Sequence, residues 1–174
     1  MNELSVTLVG ELKKRSMKIA SVESCTAGLI SKLITDAPGS SEVFDLGITT
    51  YSNEMKTKMV GVPEDILAQH GAVSPETAEA MAVGIRRVSG ADIGVSTTGI
   101  AGPGGGTPEK PVGLVYTAIA GPDGVHVTRL LIQKDGMDRD YVRQTAAETV
   151  LRNVIAYLNS TENKTERNDL IGKR

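Results

Sequence analysis

One cysteine, one phenylalanine, two histidines and no tryptophan in 174 residues exclude several kinds of protein at the outset. A lone thiol, Cys25, leaves no internal disulfide and suits a reducing compartment. His70 and His126 have no cysteine or histidine neighbours at ligand spacing, so no zinc or haem site is expected. Nor does either histidine sit in a turn built to present it to a serine. His70 precedes Gly71 at a helix end, and His126 alternates with Val125 and Val127 in a strand that turns it to solvent, which disfavours a Ser-His-Asp hydrolase. The acidic run at Asp135, Asp138 and Asp140 lacks the spacing of a calcium loop, and Asp138 reads as a helix cap. A net charge of −2 provides no basic surface for nucleic acid, and one Phe with four Tyr offers few rings for stacking bases. No apolar run reaches membrane length and the polar start lacks a signal peptide's apolar block, so the expectation is a soluble, cytoplasmic protein with no metal and no cofactor.

What is present suits one folded unit over residues 1–160, followed by a polar, mixed-charge tail over 161–174 that reads as frayed. Leu4, Leu8, Val9 and Leu12 recur at helical spacing. The apolar run 17–22 has strand length and ends at Glu23-Ser24-Cys25-Thr26, after which Leu29, Ile30, Leu33 and Ile34 form a helix face. Strand, polar turn and helix in that order leave amide groups pointing out of a helix N-terminus. A strand is expected over 44–51, with Asn53 capping a short helix after it and Pro63 starting another. Ser74-Pro75-Glu76 opens a longer helix that ends at Ser89-Gly90. Strands follow over 93–97, 112–120 and 125–133, the last two joined by the Gly121–Gly124 hairpin turn, and a long helix starts at Asp138. Helices before, between and after the strands predict helices on both faces of a mixed sheet.

Thr98 to Gly113 is the densest local signal, with six glycines and three prolines between two predicted strands. Glycine lets backbone amides converge on a ligand, and proline limits how far such a loop wanders. There is no Gly-Lys-Ser/Thr ending and no strand–GxGxxG–helix order, so neither a Walker A loop nor a dinucleotide fingerprint is present. A long crossover with no ligand would also account for the segment. Around it lies an inventory of hydroxyls and one lysine: Ser24, Ser40, Ser41, Tyr51 and Lys56. A neutral lysine can activate a serine where no histidine is available, provided its pKa of about 10.4 falls by ~3 units, roughly 4 kcal/mol. Each member also has a plain role: the serines as caps, Lys56 as a solvated charge, Cys25 as a small buried hydrophobe or a rival nucleophile.

Three segments in order, VESCTAGLISKLIT, PGSSEVFDLGITTYSNEMK and STTGIAGPGGGTPEKPVGLVY, resemble the CinA C-terminal domain family. The likeness extends over roughly residues 4–158. It implies a three-layer α/β/α fold on a mixed, mostly parallel sheet. It also implies the family's best-defined activity, nicotinamide-nucleotide amidohydrolase (NMN deamidase, PncC type), run by a Ser/Lys dyad without a metal. By motif, Ser41 would be the nucleophile, Lys56 the base, and Tyr51 and Ser24 auxiliary polar groups. Substrate contacts would come from Glu23, Cys25, Thr26, Thr98, Gly99, Gly102, Gly104, Gly105, Arg139 and Arg143, the two arginines facing the phosphate of nicotinamide mononucleotide. Oxyanion donors would be the amides at Ser24 to Thr26. Two alternatives stay open: Ser24 or Cys25 as nucleophile, and a non-catalytic ligand-binding or regulatory module. A homo-oligomer is also left open. Where the family commonly reads ESCTGG, this chain has Ala27, a small change unless the backbone there needs a positive φ.

Overall fold

In the computed structural model, residues 2–171 are described, with side chains described over 2–160. The tail expected over 161–174 therefore lies outside the residues whose side chains are described. The described residues form α1 (Glu3–Lys14), β1 (Ile19–Glu23), α2 (Leu29–Thr35), a short 3-10 turn (Ser40–Glu42), β2 (Phe44–Thr49), α3 (Asn53–Val60), α4 (Glu64–His70), α5 (Pro75–Ser89), β3 (Ile93–Gly99), β4 (Leu114–Gly121), β5 (Gly124–Leu131) and α6 (Arg139–Ile171).

Local chemistry accounts for most of the boundaries. Asn2 caps α1 by accepting from the Leu4 amide, Glu3 lies in its first turn, and Lys13 and Lys14 lie in its last. Ser74 caps α5 by accepting from the Thr77 N–H, Pro75 fills the first turn, and Gly90 ends the helix at φ 70°. Ser52, rather than the expected Asn53, caps α3, because its hydroxyl accepts from the Met55 amide. α2 and α4 lack such a cap: neither Gly28 before α2 nor Pro63 before α4 accepts through its side chain.

The sheet order is β2-β1-β3-β4-β5. β1 pairs in parallel with β2 and β3, while β4 pairs antiparallel with both β3 and β5, so β4 alone opposes the other four. Helices cover both faces, giving the three-layer α/β/α architecture. On one face, Leu8 and Leu12 of α1, Ile30 and Ile34 of α2, and Val150, Leu151 and Val154 of α6 pack on Ile19, Ile93 and Val95. On the other, Met81 and Ile85 of α5 meet Ala20 and Val22, with Val60 and Val62 alongside. Close approach there depends on Gly84, where a Cβ would lie 2.0 Å from the Val60 carbonyl oxygen.

The connections fix where a ligand can sit. From β1 the chain crosses by α2 to β2 at the edge, then returns by α3, α4 and α5 to β3 on the other side of β1. The connection leaving β1 runs to β2 on one side and the connection leaving β3 runs to β4 on the other, so a crevice opens beyond the C-terminal ends of these two adjacent strands.

Candidate active site

Two loops end in that crevice: residues 24–28 after β1, and residues 100–113 between β3 and β4. Thr50 to Ser52, past the end of β2, closes a third side. Together they line a cleft of about 290 Å³ that includes Ser24, Cys25, Tyr51, Lys56, Thr98, Gly99, Gly102, Gly104, Gly105 and Arg139. A larger groove of about 480 Å³ between α3, α4 and α5 is walled by Val60, Pro63, Ile66 and Val83 and holds no nucleophile–base pair.

Lys56 is the central feature of the cleft. It lies in α3, only 1% exposed, and is among the largest fully buried side chains of the described residues. Its Nζ donates to the Thr50 carbonyl oxygen at 2.9 Å and to Ser24 Oγ at 3.1 Å. Burial pulls its pKa below the usual 10.5, outweighing the opposing influence of Cys25. The plain reading of Lys56 as a solvated surface charge is therefore excluded.

Ser41 is not part of this arrangement. It sits exposed in the 3-10 turn that precedes β2, whereas Lys56 follows β2. Register aligns Phe44 with Ile19 and Thr49 with Glu23, so the length of β1 separates the two ends of the sheet. Four residue rises make that about 13 Å, far outside hydrogen-bonding range. Next to Ser41, Glu42 is ion-paired at 2.7 Å with Lys13 of α1. The hydroxyl that the fold brings to Lys56 is Ser24, the residue immediately after β1.

The remaining predicted residues divide in the same way. Cys25 lines the cleft at 5% exposure, and burial pushes its thiol up to about 12, which disfavours the thiolate. Tyr51 is 62% exposed, and its phenol oxygen accepts from Arg139 at 2.9 Å. Arg139 also donates to the Gly102 carbonyl at 2.7 Å, so its guanidinium bridges two walls of the cleft. Thr98 is buried and donates to the Ala72 carbonyl at 2.6 Å.

Glu23 and Thr26 are both fully buried and absent from the cleft surface; their side chains bond to each other at 2.7 Å. Arg143 also turns away, donating to the Thr26 carbonyl at 3.0 Å and lying 3.6 Å from Asp140. It supports the loop from behind instead of facing a substrate anion. Of the three amides expected as oxyanion donors, that of Ser24 is already given to the Thr97 carbonyl at 3.0 Å.

Sequence reasoning did not single out Ala72 and Val73, which form the far wall, or Lys110, which holds that wall in place. Lys110 Nζ donates to the carbonyls of His70 and Val73 at 2.9 and 2.8 Å, tying the glycine-rich loop to the α4–α5 connection. A lysine between two prolines in so glycine-dense a segment was the available signal. His126 is exposed, as expected, and its ring also meets that of Tyr157 in a tilted contact, with centroids 5.4 Å apart and planes at 58°. Among the described residues, no group of three or more His, Cys, Asp or Glu could hold a metal, and no helix is long and apolar enough to cross a membrane.

Fold and cleft together define an α/β/α domain that carries a serine–lysine pair at a topological switch point. The chain belongs to the CinA C-terminal domain family, whose model matches residues 1–158. It is 49% identical over 148 residues to a CinA-like protein of Desulfovibrio desulfuricans, an overlap of 85% of this chain and 35% of that protein. The chain thus spans about a third of the length of the curated relatives it matches. Among solved structures, it resembles the competence/damage inducible protein CihA from Agrobacterium tumefaciens, with TM-score 0.86, 40% identity, and coverage of 90% of this chain and 94% of that one. A CinA superfamily protein from Klebsiella pneumoniae superposes equally well, with TM-score 0.86, 28% identity, and coverage of 92% and 99%.

Proposed function

We propose that this domain is an amidohydrolase that converts nicotinamide mononucleotide and water to nicotinate mononucleotide and ammonia, with Ser24 as nucleophile and Lys56 as base. The observation that carries the reading is the buried Lys56 amine 3.1 Å from Ser24 Oγ. A desolvated amine favours its neutral form, and a neutral amine can take the serine proton. Family membership supports the substrate, because the family includes nucleotide amidases of this kind.

In this mechanism Lys56 Nζ takes the Ser24 proton as Oγ bonds to the carboxamide carbon. Backbone amides at Cys25 and Thr26 are the donors nearest in sequence for the oxyanion that forms. Lys56 returns the proton to the departing nitrogen and ammonia leaves an ester on Ser24. Neutral again, Lys56 activates a water that hydrolyses the ester, releasing the carboxylate and restoring the serine. Arg139 and the glycine-rich loop would meet the phosphate, and Tyr51, beside Arg139, would border the pyridine ring.

Purified protein with nicotinamide mononucleotide should release ammonia in proportion to the nicotinate mononucleotide formed. Absence of ammonia, with the mononucleotide still bound, would favour the ligand-binding module instead.

A further inference from the structure

We infer that Glu23 is a positioning residue, whose buried carboxylate closes the 24–28 loop into a ring and thereby fixes the Ser24 hydroxyl against Lys56. The inference rests on the proposed Ser24–Lys56 chemistry and goes beyond it, since Glu23 neither touches Lys56 nor lines the cleft.

Glu23 is the last residue of β1 and is fully buried. A carboxylate held there must have its oxygens satisfied, and all of its hydrogen-bond partners are neutral donors. Oε2 accepts from Thr26 Oγ1 at 2.7 Å, the Gly28 amide at 2.9 Å and the Ile30 amide at 3.1 Å. Oε1 accepts from the Ser31 amide at 3.0 Å and Ser31 Oγ at 2.9 Å. Three of these donors are amides at the start of α2, the helix whose own first residue gives no cap. The strand before the helix therefore caps it, placing a negative charge at the positive end of its dipole.

The same bonds determine the shape of the loop between strand and helix. Ala27 at φ 50° and Gly28 at φ 99° make two successive left-handed residues, a turn that needs outside support. Support comes from Glu23 on the α2 side. On the β3 side it comes from Thr97, whose hydroxyl lies 2.7 Å from Thr26 Oγ1 and whose carbonyl accepts the Ser24 amide. Because the Thr26 proton goes to Glu23, the Thr97 proton goes to Thr26, and the whole chain of hydroxyls points at one carboxylate. Glutamine in place of Glu23 would turn an NH₂ toward groups that are all donors.

A consequence for binding follows. The α2 N-terminus is already neutralised by Glu23, so an anionic substrate must look to Arg139 and the glycine-rich loop.

The test compares Glu23→Gln and Thr26→Val with wild type and with Leu12→Ala, a core variant in α1 chosen as a stability control. Three quantities are read: ammonia release from nicotinamide mononucleotide, the rate at which a fluorophosphonate labels Ser24 (located by mass spectrometry) across pH, and melting temperature. Glu23→Gln should lower kcat by roughly a hundredfold and Thr26→Val by roughly tenfold, with KM within about twofold, since small misplacements of a reacting group carry losses of that size. Labelling of Ser24 should slow by the same factors, with the pH midpoint unmoved because the partners of Lys56 are intact. Wild-type labelling rates in Glu23→Gln, or equal losses in a Leu12→Ala protein of matched melting temperature, would overturn the inference. If Glu23→Gln does not fold, Thr26→Val carries the same comparison. Wild-type protein that labels at Ser24 but releases no ammonia overturns the substrate reading alone, and the labelling series still decides Glu23. Wild type that does not label at Ser24 overturns both.

Discussion

Removing one hydroxyl at a time separates the two serines that the sequence offered. Ser24→Ala deletes the oxygen 3.1 Å from Lys56 Nζ, while Lys56 keeps its bond to the Thr50 carbonyl. One lost hydrogen bond costs about 1 kcal/mol, a fall in melting temperature of roughly 2–4 °C for a domain of this size. The effect on rate should be of another order. Loss of the nucleophile removes at least ~10³-fold, some 4 kcal/mol of barrier lowering, and leaves only what binding and the oxyanion donors supply. Ser41→Ala removes an exposed hydroxyl in the turn before β2, at the opposite end of the sheet. It should shift stability by less than about 0.5 kcal/mol and leave the rate near wild type. Coupling ammonia to glutamate dehydrogenase gives the rate, and a thermal melt of the same samples checks the fold. A folded Ser41→Ala protein without activity, beside an active Ser24→Ala, would refute the reasoning, because it would require chemistry at the far end of β1.

Four further outcomes test other parts of the site. Activity should rise with pH as the Lys56 ammonium loses its proton, along a limb centred below 10.5 because burial lowers that pKa, and Lys56→Met should abolish turnover. A pH–rate profile flat from neutral to alkaline pH contradicts this. Arg139→Met removes the bonds to Gly102 and Tyr51 and should raise KM for the mononucleotide by roughly tenfold or more, while leaving turnover of the riboside, which has no phosphate, little changed. Cys25→Ala should keep most of the activity, and wild type should react slowly with iodoacetamide at neutral pH, since its thiol is pushed up to about 12. Ala27→Gly should raise stability by about 1 kcal/mol in a thermal melt, by relieving the left-handed strain at φ 50°.

Much of the scaffold was legible because it rests on local chemistry. Apolar spacing placed α1 and α2, Ser74-Pro75 placed the start of α5, and Gly121–Gly124 placed the β4–β5 hairpin. Ser24, Tyr51, Lys56, Thr98, Arg139 and the glycine-rich loop, singled out in the sequence, line one cleft. Pairing of the base with its hydroxyl was not legible, because it depends on strand order. Ser41 is nearer to Lys56 in sequence than Ser24 is, yet β2 carries the chain along the full length of β1 between them. The same limit applied to Glu23 and Arg143. Both are charged and flank the site in sequence, but only the packing of α2 and α6 on the sheet shows that they face the loop from behind.

That placement explains how a serine can be held in register with a buried lysine on a short loop. A five-residue turn with two left-handed positions would sample many conformations by itself, and each would move Ser24 Oγ relative to Lys56. Here β1 fixes one end and α2 the other, Glu23 ties the two together, and Thr97 ties the loop to β3. Lys56 is held independently, by the Thr50 carbonyl, and Thr50 in turn donates its amide to the Glu23 carbonyl. Nucleophile and base are thus both referred to Glu23, one through its side chain and one through its main chain. A change that loosens Glu23 should therefore reduce the rate before it reduces binding, whereas the phosphate end of the cleft, built on Arg139 and the β3–β4 loop, should keep its affinity.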